Sequence, residues 1–257
     1  TLPTPTRTGY TFNGWRYGGT NYTGSYTVPD FGNNGATVTF TAQWTKESYT
    51  ISYDANGGTA TRTSDDVDYG QSITLPSATR TGYTFNGWRY GGTNYTGSYT
   101  VPDFGNNGAT VTFTAQWTIE RYTINYNANG GSVSPNSQTV NYGASITLPT
   151  PTPPGGYYFT GWSYGGRTYT GSYIVPDFGN NGASVTFTAQ WAANKYKVTF
   201  DEAGGSSVSD IVDYTIESTI SFPSTSKAGY DFKEWQVTKA DGNWTNGATF
   251  NANTTTT

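Results

Sequence analysis

The chain has 257 residues, of which 12% are charged and 17% aromatic, with a formal net charge of −4 and no Cys, His or Met. These counts exclude disulfides, thiol catalysis, thiolate metal sites and any Ser-His or Cys-His nucleophile. Basic residues are scattered singly, which argues against nucleic acid as a partner, and no apolar run approaches the roughly 18 residues of a membrane span. The chain opens on Thr1 with no signal peptide, so it reads as a fragment or mature segment of something longer.

Repetition dominates the organisation. Residues 7–45 recur unchanged as residues 80–118. A looser copy ends at Trp191 and a divergent one starts at Gly229. Trp15, Trp88, Trp162 and Trp235 are spaced by 73, 74 and 73 residues. Solenoid units run about 20–50 residues, whereas a unit this long can bury a small core of its own. The expected organisation is a string of small domains. Residues 1–45 form a partial repeat without its opening strand, 46–118 and 119–191 form full repeats, and 192–257 form a divergent partial repeat without its closing strand.

Taken in order, the second unit opens with Tyr49, Ile51 and Tyr53 alternating with polar residues, the period of a half-buried strand. Asn56-Gly57-Gly58 supplies a turn that tolerates positive φ. Residues 59–68 read as polar and irregular, their β-branched and Asp content weighing against a short helix. Ile73 and Leu75 mark a further strand ended by Pro76. Tyr83–Trp88 forms the next, and Gly91-Gly92 is a two-residue hairpin turn. Pro102 to Gly108 is a dense turn cluster. Val111, Phe113, Ala115 and Trp117 then alternate with Thr and Gln in the clearest strand of the chain. A mostly β unit of five or six strands, mixed or antiparallel, with little helix, is expected. The extra residue of the third unit lies in the Pro153-Pro154-Gly155-Gly156 loop. The linkers at residues 45–48, 118–121 and 192–195 lack Gly and Pro, so neighbouring units should be closely coupled.

The motifs Asn56-Gly57-Gly58, Gly82-Tyr83-Phe85-Gly87-Trp88 and Ala115-Trp117 occur in that order. They return as Asn129-Gly130-Gly131, Gly156-Tyr157-Phe159-Gly161-Trp162 and Ala189-Trp191. In these elements the chain resembles the Listeria–Bacteroides repeat, also known as the internalin B-repeat. The resemblance implies a β-grasp-like module, carried in tandem on large bacterial surface or secreted proteins. Such modules are associated with stalks and adhesion, and no catalytic residues are attached to them. The fourth unit departs from the pattern through Ala203 and Glu234, which puts its turn in doubt.

Several residues could carry chemistry. Asp30 and Asp103 are the only acids in the identical blocks, and their place after Pro in a turn cluster suits local hydrogen bonding. Asp65, Asp66 and Asp68 could hold a hard cation weakly, but the cluster does not recur in the third unit, so a solvated loop is expected. Gln43, Gln116 and Gln190 are of a type that could form an ester with Thr, and outward-facing polar positions are their default. Asn21, Asn94 and Asn243 lie in glycosylation sequons that chance explains in a Thr-rich chain.

The sharper binding hypothesis places glycan on the repeated aromatic hairpins, through Tyr17, Tyr22, Tyr90, Tyr95, Tyr164 and Tyr169. Cross-strand ring pairing within a small sheet is the competing reading, and the heavier one. No cofactor, metal or enzymatic activity is expected. The expected function is structural: a stalk or fibre segment of an extracellular bacterial surface protein, or a filament subunit completed by strand exchange. The alternative is an adhesive module for glycan or a host surface protein. Expected partners are neighbouring repeats or copies of the chain itself.

Overall fold

A computed structural model describes residues 1–237, 249–250 and 255–256. The sequon at Asn243, and the polar end from Asn253 apart from the pairing of Thr255–Thr256, lie outside the described residues. The described residues contain strands and turns and no helix. They divide into two compact units. The first holds Thr1–Tyr122 with Asn141–Gly143 and Pro176–Ala183; the second holds Thr123–Val140, Ala144–Val175 and the chain from Ser184 onward.

The second repeat shows why the sequence folds as it does. Its five-stranded sheet runs Thr93–Tyr95, Tyr83–Tyr90, Thr110–Ile119, Ser48–Asp54, Ser64–Asp68. The central pair, Thr110–Ile119 with Ser48–Asp54, is parallel, in register from Thr110↔Thr50 to Thr114↔Asp54. The other neighbours are antiparallel. Alternation does the sorting, because a strand turns successive side chains to opposite faces. Tyr49, Ile51, Tyr53, Phe113 and Ala115 turn inward onto Trp88, which is fully buried. The Trp88 indole N–H donates to the Pro76 carbonyl at 2.7 Å, so burial leaves no polar group unsatisfied. The same bond recurs from Trp15 to Pro3, Trp162 to Pro149 and Trp235 to Pro223.

Two short ribbons complete the repeat: Ser98–Thr100 on Ser72–Thr74, and Thr59–Ala60 on Ala78–Thr79. Residues 59–68 are therefore not an irregular segment. They supply Thr59–Ala60 and the edge strand Ser64–Asp68. Asp65 and Asp66 do not form a solvated loop either, because each has a partner. Arg62 Nε and the Tyr53 hydroxyl both donate to Asp65, each at 2.7 Å, and the Thr50 hydroxyl donates to Asp66 at 2.9 Å.

The Asn-Gly-Gly turn works through backbone and side chain together. Asn56 takes φ 47°, and its side-chain amide donates to the Ala115 carbonyl at 3.1 Å, tying the turn to the closing strand. At Gly58 a Cβ would stand 2.5 Å from the Trp117 ring and 2.6 Å from the Thr79 carbonyl, so only glycine fits. Ala203 keeps φ 47° in the fourth repeat, so the turn persists there without an amide side chain to tie it.

The third repeat repeats the five-stranded order with Arg167–Tyr169, Tyr157–Tyr164, Ser184–Ala193, Arg121–Asn127 and Ser137–Asn141. Its central pair is again parallel, from Thr123↔Ser184 to Asn127↔Thr188. The first repeat has a three-stranded sheet, Thr20–Tyr22, Tyr10–Tyr17 and Thr41–Lys46. In the fourth, Tyr196–Val198 pairs with Ile211–Tyr214 and Trp235–Gln236 with Thr249–Phe250.

Candidate functional site at the repeat junctions

The six hairpin tyrosines sit in ring clusters. Tyr90 stacks on Phe113 at 4.9 Å and 9°, and Tyr95 meets Phe113 at 5.9 Å and Tyr99 at 4.9 Å. Tyr164 stacks on Phe187 at 4.9 Å, with Tyr169 5.8 Å from the same ring. Tyr17 and Tyr22 lie 5.0 and 6.1 Å from Phe40. In each of the first three repeats, cross-strand geometry brings the tyrosines around one phenylalanine. All six remain half-buried.

The more elaborate arrangement lies where one repeat hands over to the next. The strand Thr41–Lys46 ends and Ser48–Asp54 begins with only Glu47 between them; Thr110–Ile119 and Arg121–Asn127 are likewise separated only by Glu120. The Glu47 N–H donates to the Gly9 carbonyl at 3.0 Å, and its own carbonyl accepts the Tyr69 N–H at 2.9 Å. Glu120 does the same with Gly82 and Tyr142, both at 2.9 Å.

The side chains reinforce this. The buried Tyr49 hydroxyl lies 2.8 Å from a Glu47 oxygen and 3.2 Å from the Asp103 carboxylate. Asp103 also accepts the Gly105 N–H at 2.7 Å, closing its own turn, and the Gly9 N–H of the preceding repeat at 3.1 Å. Tyr122 shares its hydroxyl between Glu120 at 2.8 Å and Asp177 at 3.1 Å, and the Gly82 backbone N–H helps to lower the Asp177 pKa. Backbone donors hold both aspartates below the usual carboxylate range, the turn glycines Gly105 and Gly179 foremost. Burial, then the neighbouring carboxylates, pushes the Tyr49 and Tyr122 phenols well above their ordinary value.

Glycine is required here for close approach. A Cβ on Gly9 would stand 2.2 Å from the Tyr69 ring, and one on Gly82 would stand 2.1 Å from the Tyr142 ring. The junction between the third and fourth repeats is built differently. Asn194 stands where the glutamate would, its N–H reaching the Gly156 carbonyl at 2.8 Å. Ile216 packs over Gly156, and Tyr157 donates to Glu217 at 2.5 Å.

The sequence reading placed Asp103 correctly in a turn and missed its second role, because Gly9 lies 94 residues away. The available signal was the recurring Glu47-Ser48-Tyr49 and Glu120-Arg121-Tyr122 spacing. Among the described residues no group of three acids, His or Cys could hold a metal ion. Gln116 donates to the Thr114 and Ala115 carbonyls of its own strand, and Gln190 does likewise to Thr188 and Ala189.

Comparison with known proteins gives these repeats a family. A predicted Gly-rich membrane protein of Evansella cellulosilytica is 34% identical over 246 residues, covering 90% of this chain and 26% of the relative. A predicted membrane protein of the same organism is 31% identical over 252 residues, covering 93% of this chain and 35% of the relative. Internalin H of Listeria monocytogenes is 32% identical over 155 residues, 58% of this chain and 26% of that protein. The chain thus spans about a quarter to a third of the length of these relatives. No solved structure matches it. The Listeria-Bacteroides repeat domain matches residues 1–43, 49–116, 122–190 and 196–257, and the chain belongs to this family.

Proposed function

We propose that the chain is a mechanical spacer, a stalk or fibre segment of a bacterial cell-surface protein that holds other parts away from the envelope. One observation carries this reading. Each full repeat is entered through one strand and left through another, and those two strands are hydrogen-bonded parallel neighbours: Ser48–Asp54 with Thr110–Ile119, and Arg121–Asn127 with Ser184–Ala193. Tension along the chain pulls such a pair in opposite directions along its length. Every hydrogen bond of the pair is then loaded together instead of being unzipped singly. The one-residue handovers at Glu47 and Glu120 pass that tension from sheet to sheet with few free dihedrals between them.

The names of the relatives, membrane proteins and an internalin, support an envelope setting outside the cell. The glycan reading of Tyr17, Tyr22, Tyr90, Tyr95, Tyr164 and Tyr169 ranks second, because their rings are engaged with Phe40, Phe113 and Phe187. Small-angle scattering tests the spacer. A compact chain of this length has a radius of gyration near 18 Å, whereas four units in line, each adding about 25–30 Å, give roughly 30 Å. The larger value is expected, and the smaller one would remove the spacer reading.

A further inference from the structure

The hairpin tyrosines are engaged, but a second aromatic feature is open. Beside the junction between the second and third repeats lies a cleft of about 770 Å³, whose lining includes Gly58, Thr79, Arg80, Thr81, Tyr83 and Tyr142. The corresponding cleft of the first repeat, about 430 Å³, is lined by residues that include Thr6, Arg7, Thr8 and Tyr10. In both, an arginine guanidinium lies over a tyrosine ring. The guanidinium carbon of Arg80 is 4.0 Å from the Tyr83 ring centroid, and that of Arg7 is 3.7 Å from the Tyr10 centroid. The Tyr83 ring also meets Tyr142 edge-on at 6.2 Å, and the Tyr10 ring meets Tyr69 edge-on at 6.0 Å.

This contact holds the guanidinium against the ring while its N–H groups remain hydrogen-bond donors. Arg80 donates one hydrogen bond, from Nη1 to the Asn56 carbonyl at 3.2 Å, out of five N–H groups. Among the described residues neither arginine forms a salt bridge with a carboxylate. A pinned fork of free donors, flanked by threonine hydroxyls and an aromatic edge, matches an oxyanion on a sugar. Asp103 also lines the smaller cleft, but its oxygens are occupied by Gly9, Gly105 and Tyr49. The third repeat has Pro153-Pro154 in place of the arginine, and the fourth has Lys227, whose Nζ lies 5.0 Å from the Tyr230 centroid.

We infer that Arg7 and Arg80, each over its tyrosine, form a pair of equivalent sites for the oxyanion groups of an acidic polyhydroxylated polymer, a polyuronate or a polyol phosphate. The charged group is a carboxylate or a phosphodiester, and two sites on one chain favour a polymer over a single sugar. This binding is independent of the spacer reading, which stands or falls on mechanical and scattering data.

The test is calorimetric titration of the full chain with an oligogalacturonate, a poly(glycerol phosphate) and a neutral dextran. Binding of an acidic polymer is expected, with the dextran silent; the polymer that binds identifies the charged group. The double variant Arg7→Gln/Arg80→Gln should weaken binding at least tenfold. Arg80→Lys should weaken it too, because charge survives and the planar fork does not. Arg89→Gln, on the strand Tyr83–Tyr90 and outside both clefts, should change it less than twofold. Near-ultraviolet circular dichroism confirms that each variant is folded. Failure of both acidic polymers to bind, or equal binding by the folded double variant, would overturn the inference.

Discussion

Gly9 donates its backbone N–H to the carboxylate of Asp103, 3.1 Å away and 94 residues along the chain. One unit later the Gly82 backbone N–H likewise helps to lower the Asp177 pKa, and the Gly82 carbonyl accepts the Glu120 N–H at 2.9 Å. These bonds join neighbouring copies, and the glycines also let a tyrosine ring of the next copy approach their Cα. Gly82→Ala should therefore act on the junction more than on either core. Its Cβ displaces Tyr142, and its φ of +72° disfavours a side chain. A loss of about 1–3 kcal/mol is expected, as for overpacking. Hydrogen exchange should show protection lost at Gly82 and Glu120 and kept in the strand Ser48–Asp54.

Tyr49→Phe removes the hydroxyl that bridges Glu47 and Asp103 while keeping the buried ring. Hydrogen bonds to charged acceptors contribute about 1.5–3 kcal/mol each at most, so a net cost of about 1–3 kcal/mol is expected. Tyr122→Phe should behave alike. Urea unfolding monitored by Trp fluorescence measures both, and Tyr10→Phe, whose hydroxyl has no hydrogen bond among the described residues, serves as the control.

Stability should fall at both ends of the pH scale. The folded-state pKa values of Asp103 and Asp177 are lowered, so their contribution is complete above the unfolded value near 3.9 and is lost as pH falls through the folded value. Tyr99 and Tyr173 are pushed up to about 12, chiefly by burial and then by neighbouring tyrosines. They stabilise the fold below the unfolded value of about 10, and that contribution is lost as pH rises toward 12. Thermal melting from pH 2 to 12 should show a plateau with a fall on each side. Asp103→Asn should flatten the acid fall only.

Three Asn-Gly pairs of identical sequence should deamidate at different rates. Gly108 N–H donates to Ser48 at 2.8 Å while Asn107 accepts the Ser48 N–H at 2.8 Å; Asn181 and Gly182 hold Arg121 in the same manner, at 2.8 and 2.7 Å. These bonds oppose the rotation that brings the glycine nitrogen onto the asparagine Cγ with loss of ammonia. The Asn34 side chain makes no hydrogen bond among the described residues. Peptide mass spectrometry after incubation at pH 8 should find Asn34 converted first.

The identical blocks also show how far this sequence can be read. The strands around Ile51, Phe113 and Trp88 were legible because a period of two and Gly-rich turns are local signals. Context was not. Val28 and Val101 occupy the same position in the same 39 residues, yet Val28 is 70% exposed and Val101 is 1% exposed. Val101 is held by backbone bonds to Gln71 and Gly70, and Ser98–Thr100 pairs with Ser72–Thr74; Gly70, Gln71 and Ser72–Thr74 lie outside the block. The edge strand Ser64–Asp68 was missed for a related reason. Only Val67 in it is buried, and its pairing with Ser48–Asp54 compensates for a composition that argues against a strand. The junction was hidden because its key bonds join residues far apart along the chain: Tyr49 with Asp103 inside one repeat, and Gly9 with Asp103 across two.

Stretching single molecules from end to end tests the spacer most directly, because the parallel pairing of entry and exit strands is its physical basis. Two steps of equal size are expected at high force, one for each full repeat, each releasing roughly 200–240 Å for a unit extended at about 3.4 Å per residue. Thr112→Pro, which breaks the pairing with Ser52, should lower the force of one step and leave the other. Smooth extension at low force, without two equal steps, would contradict a function in carrying tension.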